Sequence, residues 1–319
     1  MKNMRKVLLI GLILISFLML VQVSAQTKNI KIAVVVKALN SDFWKIVEAG
    51  AKKAGEDLGV EVVVLGPSAE TDVTGQLAII EDQITRKVSA LAVAPSQPPS
   101  AIPFFEKAKA AGIPVVLIDT DAPWEDKVSF VGTGNYKGGQ LAGEYLSKKL
   151  GKGKNVVIIR GAMGDPTHDE RTNGAIEILK KNGLNVLTVQ PANSERGLGM
   201  SVMENLLQAY KTIHGVFATN DEMALGALRA IQAAKKKMLV VGFDGTPDAL
   251  KSILAGELTA SVAQDPFNIG YKGVEAAVKA VKGEQVSKRI DTGTYIIDKT
   301  NVKSEIEKLN KILGKDILK

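Results

Sequence analysis

Short runs of β-branched and other apolar residues alternate with longer stretches of helical periodicity along most of the chain. The runs that predict strands are Lys31–Lys37, Val60–Leu65, Ala90–Ala94, Pro114–Ile118, Asn155–Ile159, Leu184–Val189, Gly215–Ala218, Met238–Val241 and Leu258–Ala263. Stretches such as FWKIVEAGAKKAGEDLG and SVMENLLQAYKTIHG lie between them and predict helices. Strands that alternate with helices in this way indicate βαβ units and parallel sheets. The runs are almost continuously apolar, which is typical of sheets with helices on both faces.

This number of βα units fits either an eight-stranded barrel or two doubly wound domains, and two features favour the two domains. Residues 134–153 form a Gly/Lys-rich connection between the fourth and fifth predicted strands, which we interpret as a joint. The strand–helix pattern then restarts, since VVIIRG and RTNGAIEILKKNGLNVLTV repeat the pattern of IAVVVK and VEAGAKKAGEDLGVEVVVL. We therefore predict an α/β protein with two doubly wound lobes.

The first 25 residues have a different character from the rest. Lys2, Arg5 and Lys6 precede the uncharged apolar run of residues 7–21, and small residues follow up to Ala25. This order predicts a secretory signal peptide that is cut after Ala25, since a spanning helix needs roughly 20 apolar residues. The chain contains no cysteine, which excludes disulfides, thiolate sites and a lipid anchor at the cleavage point. We expect a free, exported, periplasmic protein.

Charge and motifs exclude several function classes. The net charge is +7, and the longest basic run, Lys235-Lys236-Lys237, lies beside no aromatic cluster, so we expect no nucleic-acid partner. The two histidines, His168 and His214, are too few and too separated to predict a metal site. His168 fits either a ligand contact beside the predicted pocket or a surface loop, and we favour the surface loop. The sequence GTGNYKG at 132–138 lacks the third glycine of a dinucleotide motif and is interpreted as a crossover between lobes. We therefore predict no enzyme activity, cofactor or metal.

Polar side chains follow most of the predicted strands, and ligands of open parallel sheets bind at the carboxyl ends of the strands. These residues are Asn40, Ser41, Phe43, Trp44, Ser96, Gln97, Asp119, Thr120, Asp121, Arg171, Asn220, Asp221, Asp244, Gln264 and Asp265. Carboxylates, amides and one arginine on a single rim suit a neutral polyhydroxy ligand, because each hydroxyl can both donate and accept hydrogen bonds.

Some of these residues have a second interpretation. Phe43 and Trp44 fit either a stacking wall for a sugar ring or the core beneath the first helix. Asp119, Asn220 and Asp244 also suit helix N-caps, for which Asp221 is a better candidate than Asn220. The position of the two aromatic residues beside the polar rim favours the binding site.

Three segments resemble the periplasmic ribose- and allose-binding proteins of bacterial sugar ABC transporters. They are VVVKALNSDFW, GVFATNDEMALGALRAIQ and MLVVGFDGTPDALKSILAGELTASVAQDP, and the likeness runs from about Ile30 to Ile297 in the same order. The resemblance implies two Rossmann-like lobes joined by three crossovers (a type I periplasmic binding protein), with the sugar enclosed between them. It assigns sugar contacts to Phe43, Trp44, Asp119, Arg171, Asn220, Asp244 and Gln264.

Several positions depart from that pattern and bear on the choice of sugar. Ser41 replaces the asparagine of ribose binders, although Asn40 is adjacent. Thr120 replaces an arginine of the ribose type and a glutamate of the allose type. Ser194 stands where the family usually has a third aromatic residue, and Lys37 resembles the allose type. We include all five of these residues among the predicted ligand contacts.

The resemblance implies a binding protein that captures a ribose- or allose-like monosaccharide and delivers it to an ABC transporter permease. We expect a monomer with an N-terminal lobe of residues 30–133 and 265–292 and a C-terminal lobe of residues 134–264 and 293–319. A chemotaxis or quorum-signal receptor for a related polyol or sugar is an alternative. A sugar-responsive repressor core is disfavoured, because such proteins carry a helix-turn-helix where this chain has its predicted signal peptide.

Overall fold

The computed structural model describes residues 30–318, so the predicted signal peptide and its cleavage after Ala25 lie outside the described part. The strands are β1 (Lys31–Val35), β2 (Glu61–Leu65), β3 (Ala90–Val93), β4 (Val115–Ile118), β5 (Phe130–Gly132), β6 (Asn155–Arg160), β7 (Asn185–Pro191), β8 (Gly215–Ala218), β9 (Leu239–Asp244), β10 (Ala260–Ala263), β11 (Arg289–Asp291) and β12 (Tyr295–Asp298). The helices are α1 (Asp42–Leu58), α2 (Val73–Thr85), α3 (Pro98–Ala110), α4 (Asn135–Leu150), α5 (Pro166–Lys181), α6 (Arg196–Ala209), α7 (Asp221–Ala233), α8 (Pro247–Ala255), α9 (Pro266–Val281) and α10 (Val302–Leu313).

The strands form two six-stranded sheets. The first has the order β11-β5-β4-β3-β1-β2, and the second has the order β12-β10-β9-β8-β6-β7. Adjacent strands are parallel except for the pair β10–β12, which is antiparallel. The prediction of two α/β lobes with parallel sheets is therefore confirmed, and the eight-stranded barrel is excluded.

Helices cover both faces of each sheet because alternate side chains of a strand point to opposite faces. In β1, Ile32 and Val34 pack towards α1 and α9, whereas Ala33 and Val35 pack towards α2 and α3. These side chains are fully buried, and each buried Val or Ile contributes roughly 1.5–3 kcal/mol. The second sheet is enclosed in the same way by two apolar clusters. The strand ends are thus held rigidly, which positions the loops that follow them.

The described chain passes between the sheets at three places. The first crossing leads from β5 to α4, the second from β10 to α9, and the third from β11 to β12. At the third crossing the Thr294 hydroxyl donates to the Ala263 carbonyl, which joins it to the second. Three adjacent segments of the chain therefore connect the two lobes.

The largest error in the predicted elements concerns residues 134–153, which we expected to be a connection. They form helix α4 instead, and their glycines lie where this helix approaches α5. A Cβ atom on Gly139 would lie 2.1 Å from the Arg171 carbonyl oxygen, so the close approach of the two backbones requires glycine there. The sequence pattern also missed the short strands β5, β11 and β12. The helix predicted from SVMENLLQAYKTIHG, residues 201–215, is α6, which spans residues 196–209.

No helix within residues 30–318 has the length and apolar character needed to cross a membrane.

Candidate functional site

The carboxyl ends of the strands of both lobes face a common cleft that both lobes line. The lining side chains come from both lobes and are mostly polar: Lys37, Ser41, Phe43, Trp44, Glu70, Asp119, Thr167, His168, Arg171, Asn220, Glu222, Asp244, Thr246 and Gln264.

Phe43 and Trp44 form the aromatic wall on the N-terminal lobe. Both lie in the first turn of α1, and their rings meet edge to face with centroids 4.9 Å apart. The Trp44 indole N–H donates to Glu70 Oε1 at 2.9 Å, which fixes the ring. Both rings also belong to a buried apolar cluster. The two interpretations of this pair are therefore compatible, since each ring packs on the core and presents a surface to the cleft.

Asp119 follows β4 with a backbone φ of +59°. This backbone conformation is energetically unfavourable for an aspartate, and residues that adopt it cluster at functional sites. Its carboxylate accepts a hydrogen bond from the Thr120 hydroxyl at 2.8 Å and lies 3.7 Å from the Lys37 ammonium. Because Asp119 is buried yet lines the cleft, its remaining oxygen positions are available to a ligand hydroxyl.

Arg171 is the main cation of the C-terminal wall, and its guanidinium is held from several sides. Its Nε donates to Asn135 Oδ1 at 2.9 Å, and its Nη1 donates to the Thr219 carbonyl at 2.9 Å. The guanidinium carbon lies 3.8 Å from the centroid of the Phe243 ring. An arginine that is fixed in this way presents its other N–H groups in a defined direction.

Asp244 ends β9 beside Arg171, and its carboxylate is the main acceptor of this wall. Its Oδ1 lies 3.4 Å from Arg171 Nη1 and accepts a hydrogen bond from Gln264 Nε2 at 2.7 Å. Its backbone φ is +120°, which again indicates strain at this rim. Burial raises the pKa of Asp244, and Asp221 raises it further, while Arg171 opposes both effects.

Asp221 supports the loop that carries Asp244. One of its oxygens accepts from the Thr246 N–H at 2.8 Å and from the Thr246 hydroxyl, and the other accepts from the Ser261 hydroxyl at 2.7 Å. Burial raises the pKa of Asp221 to about 7. The N-cap of α7 is Asn220, whose Oδ1 accepts from the Met223 N–H at 2.9 Å. The prediction that Asp221 is the better cap was therefore wrong.

His168 lies in the first turn of α5 and is buried, so its predicted position in a surface loop was wrong. The reason is local: Asp165 caps the helix through the Thr167 N–H, and Pro166 occupies the first helical position. The imidazole Nδ1 lies 2.8 Å from the Thr219 hydroxyl, and Nε2 lies 3.1 Å from the Ser194 hydroxyl. Burial lowers the pKa of His168 to about 3, so the ring is neutral near pH 7.

A charged cluster lies where the two lobes meet. Lys37 Nζ is 2.6 Å from Asp165 Oδ2, and His168 Nε2 is 4.0 Å from the same carboxylate. Glu70, Asp165 and His168 lie close enough to share a cation, but the Lys37 ammonium already supplies positive charge to this cluster. Burial opposes the charge of Lys37, yet Asp165, Asp119 and Glu70 together raise its pKa. Lys37 therefore stays protonated in the closed cleft.

The structure brings most of the sequence-predicted residues to the cleft wall. Those that line it are Lys37, Ser41, Phe43, Trp44, Asp119, Arg171, Asn220, Asp244 and Gln264. Thr120 and Ser194 lie behind the wall, bonded to Asp119 and His168 respectively. Asn40 is solvent-exposed at the end of the β1 loop. The ligand-contact assignments themselves remain predictions.

Several lining residues were not predicted from the sequence. Glu70, Thr167, Glu222 and Thr246 were not singled out, and for His168 a surface loop was favoured over a ligand contact. Glu70 follows the carboxyl end of β2, so the rule applied to the other strands would have found it. Thr167 and His168 lie between the helix start and Arg171, where the first turn faces the cleft.

The wall thus combines carboxylates, amides, a fixed arginine and an aromatic surface on one side. This set can pair with both the donor and acceptor functions of several ligand hydroxyls and can cover an apolar C–H face. Such an arrangement suits recognition of an uncharged polyhydroxy molecule.

Comparison with known proteins agrees with this geometry. The model of the family described as "Periplasmic binding protein domain" matches residues 32–285. The ribose import binding protein RbsB of Salmonella typhimurium is 39% identical over 280 residues, covering 88% of this chain and 94% of that protein. The D-allose-binding periplasmic protein of Escherichia coli is 34% identical over 265 residues, covering 80% of this chain and 85% of that protein.

A solved structure shows the same likeness in three dimensions. The carbohydrate transporter solute binding protein of Agrobacterium radiobacter, in complex with D-arabinose, has a TM-score of 0.83 and 36% identity. The match covers 88% of this chain and 98% of that one.

Proposed function

Because the chain belongs to the periplasmic binding protein family, we propose that it captures a monosaccharide between its two lobes and delivers it to the permease of an ABC transporter. The ligand is a pentose or hexose of the ribose or allose type. The role is one of binding and release, without catalysis. The protein is exported, and its signal peptide is removed after Ala25.

The observation that carries this proposal is the polar rim shared by the two lobes. Asp119 and the aromatic pair Phe43 and Trp44 belong to the first sheet's lobe, whereas Arg171 and Asp244 belong to the second. Neither half alone can pair with hydroxyls around a whole sugar ring. A sugar therefore binds the closed form in preference to the open form.

Charge-assisted hydrogen bonds supply the preference. Each one contributes roughly 1.5–3 kcal/mol, so a few contacts from each lobe are enough to close even a population that is 99% open, which needs a preference of roughly 5.5 kcal/mol. Periplasmic binding proteins close around their ligands by a hinge motion of this kind. The proposed lobes comprise residues 30–133 with 265–292 and residues 134–264 with 293–319, so each boundary falls at one of the crossings between the sheets.

A thermal-shift screen of residues 26–319 tests this function. The panel contains D-ribose, D-allose, D-arabinose, D-xylose and myo-inositol. A ligand at about 100 times its Kd stabilises the fold by about 2.7 kcal/mol, so we expect a shift of several degrees with one or two aldoses. The matched control is Asp244→Asn, which keeps the shape of the side chain but removes its charge and should lose most of the shift. No shift with any aldose in the wild type would contradict the proposal.

A further inference from the structure

Three hydrogen bonds between the lobes within residues 30–318 converge on one segment of the C-terminal lobe, and none of them involves a ligand. Lys37 Nζ donates to Asp165 Oδ2 at 2.6 Å, the Thr120 and Thr167 hydroxyls lie 2.9 Å apart, and Gln97 Nε2 donates to the Met163 carbonyl at 3.1 Å. The first of each pair belongs to the first sheet's lobe, and the second lies on the segment that leads from β6 into α5. One short segment of the C-terminal lobe thus receives all three bonds.

Burial distinguishes the Lys37–Asp165 pair from the surface ion pairs of the molecule. Both side chains are about 2% exposed, although they come from different lobes. Opening the cleft would return both charges to water, so the pair is buried only when the lobes are closed. Removing Asp165 would leave the Lys37 ammonium with only the more distant Asp119, at 3.7 Å, and Glu70 as counter-charges, and the loss of one partner of a buried pair is strongly unfavourable.

Asp165 is also separate from the ligand wall. Among the described residues, Lys37 and Thr167 line the cleft, whereas Asp165 does not. One Asp165 oxygen caps α5 through the Thr167 N–H, and the other accepts from Lys37. Its charge is therefore directed at the opposite lobe.

We propose that Asp165 is a positioning residue: through Lys37, and with the Thr120–Thr167 hydroxyl pair, it forms an interlobe latch that stabilises the closed lobes before any sugar is bound. The latch raises sugar affinity without touching the sugar, since apparent affinity scales with the fraction of molecules in the binding-competent form. This effect on affinity rests on the proposed function, but the effect on the shape of the ligand-free protein does not.

The first readout is the radius of gyration of the ligand-free protein, measured by small-angle X-ray scattering. Asp165→Asn keeps the helix cap, because asparagine caps as well as aspartate, and it removes only the charge. We expect this variant to be more expanded than the wild type. Asp72→Asn is the matched control: Asp72 caps α2 through the Gly75 N–H on the surface of one lobe, so this variant should scatter like the wild type.

The second readout is sugar affinity by isothermal titration in a double-mutant cycle. We expect Asp165→Asn and Lys37→Met each to raise the Kd at least about tenfold, as for one partner of a buried charged pair at an interface. The double variant Lys37→Met/Asp165→Asn buries neither charge and should recover part of the lost affinity. If Lys37 acted only as a direct sugar ligand, the double variant would bind no better than Lys37→Met alone.

The hydroxyl pair supplies an independent variant. Thr167→Val removes the bond to Thr120 and should expand the ligand-free protein. Thr172→Val is its control on the same helix, because the Thr172 hydroxyl is buried without a hydrogen-bond partner. Identical radii of gyration for the wild type, Asp165→Asn and Thr167→Val would overturn the latch. A wild type that binds no aldose would contradict the proposed function instead, while the scattering comparison would still decide on the latch.

Discussion

The buried imidazole of His168 predicts a measurable loss of stability between neutral and mildly acidic pH. Its ring nitrogens face the Thr219 and Ser194 hydroxyls, and the pKa is lowered to about 3. Burial is the main cause, and the positive charge of Arg171 adds to it, whereas Asp165 opposes both. The folded protein therefore resists protonation of His168 over a pH range in which an unfolded chain accepts the proton.

The size of the effect follows from the two pKa values. In the unfolded chain the histidine pKa is about 6.5, so below that pH the unfolded state binds one more proton than the folded state. Above pH 6.5 His168 does not lower the free energy of unfolding. Below pH 6.5 it lowers this free energy by about 1.4 kcal/mol for each pH unit, until the pKa of His168 in the folded protein is reached. Acidification to pH 4.5 should thus cost about 2.7 kcal/mol through this residue.

Other buried groups titrate in the same window with the opposite sign, so the test is a comparison with His168→Gln. Burial raises the pKa values of Asp221 and Asp244, and these carboxyls therefore favour the folded state as the pH falls. Asp165, with its pKa lowered to about 2, contributes stability that is lost only below the unfolded value of roughly 3.9. Glutamine can keep hydrogen bonds to the two hydroxyls without titrating.

Urea unfolding, followed by tryptophan fluorescence at pH 7.5 and 4.5, measures the difference. The free energy of unfolding of the wild type should change by about 2.7 kcal/mol more in the destabilising direction than that of His168→Gln. Because every other group is shared, the subtraction isolates the imidazole. Equal pH dependence in the two proteins would refute the assignment of a neutral, buried histidine.

Two further predictions concern Arg171. Arg171→Ala should weaken the free energy of sugar binding by about 2–4 kcal/mol, because Asp244 loses its buried counter-charge. Titration calorimetry checks this, and Arg86→Ala, at an exposed ion pair with Asp82, should have no effect. Gly139→Ala should lower the free energy of unfolding by about 1–3 kcal/mol, since its Cβ would meet the Arg171 carbonyl. Gly197→Ala, with open space around it, should leave stability equal or higher in the same urea titration.

The fold could be predicted because each central strand is buried on both faces and so forms a continuous apolar run. The elements that were missed lie at the crossings between the lobes. Strand β11 has only three residues, Arg289–Asp291, two of them exposed, and such a segment carries no periodicity to detect. Helix α4 was interpreted as a connection because its glycines resemble breaks in sequence, whereas in the structure they allow close helix packing.

The site was predictable to the extent that it follows from strand ends. Asp119, Asn220 and Asp244 were found because each lies at the carboxyl end of a buried strand or within two residues of it. The charged contact between Lys37 and Asp165 could not be predicted, since these residues are 128 positions apart and belong to different lobes. Whether a polar residue lines the cleft or supports it, as with Thr120 and Ser194, depends on side-chain direction.

Capture of a monosaccharide between the lobes is best tested by isothermal titration of the wild-type protein with the aldose that gives the largest thermal shift. We expect saturable binding of one sugar per chain, together with compaction in solution scattering when sugar is added. Absence of saturable binding to every aldose of the panel, or binding of more than one equivalent per chain, would contradict capture of a monosaccharide between the lobes.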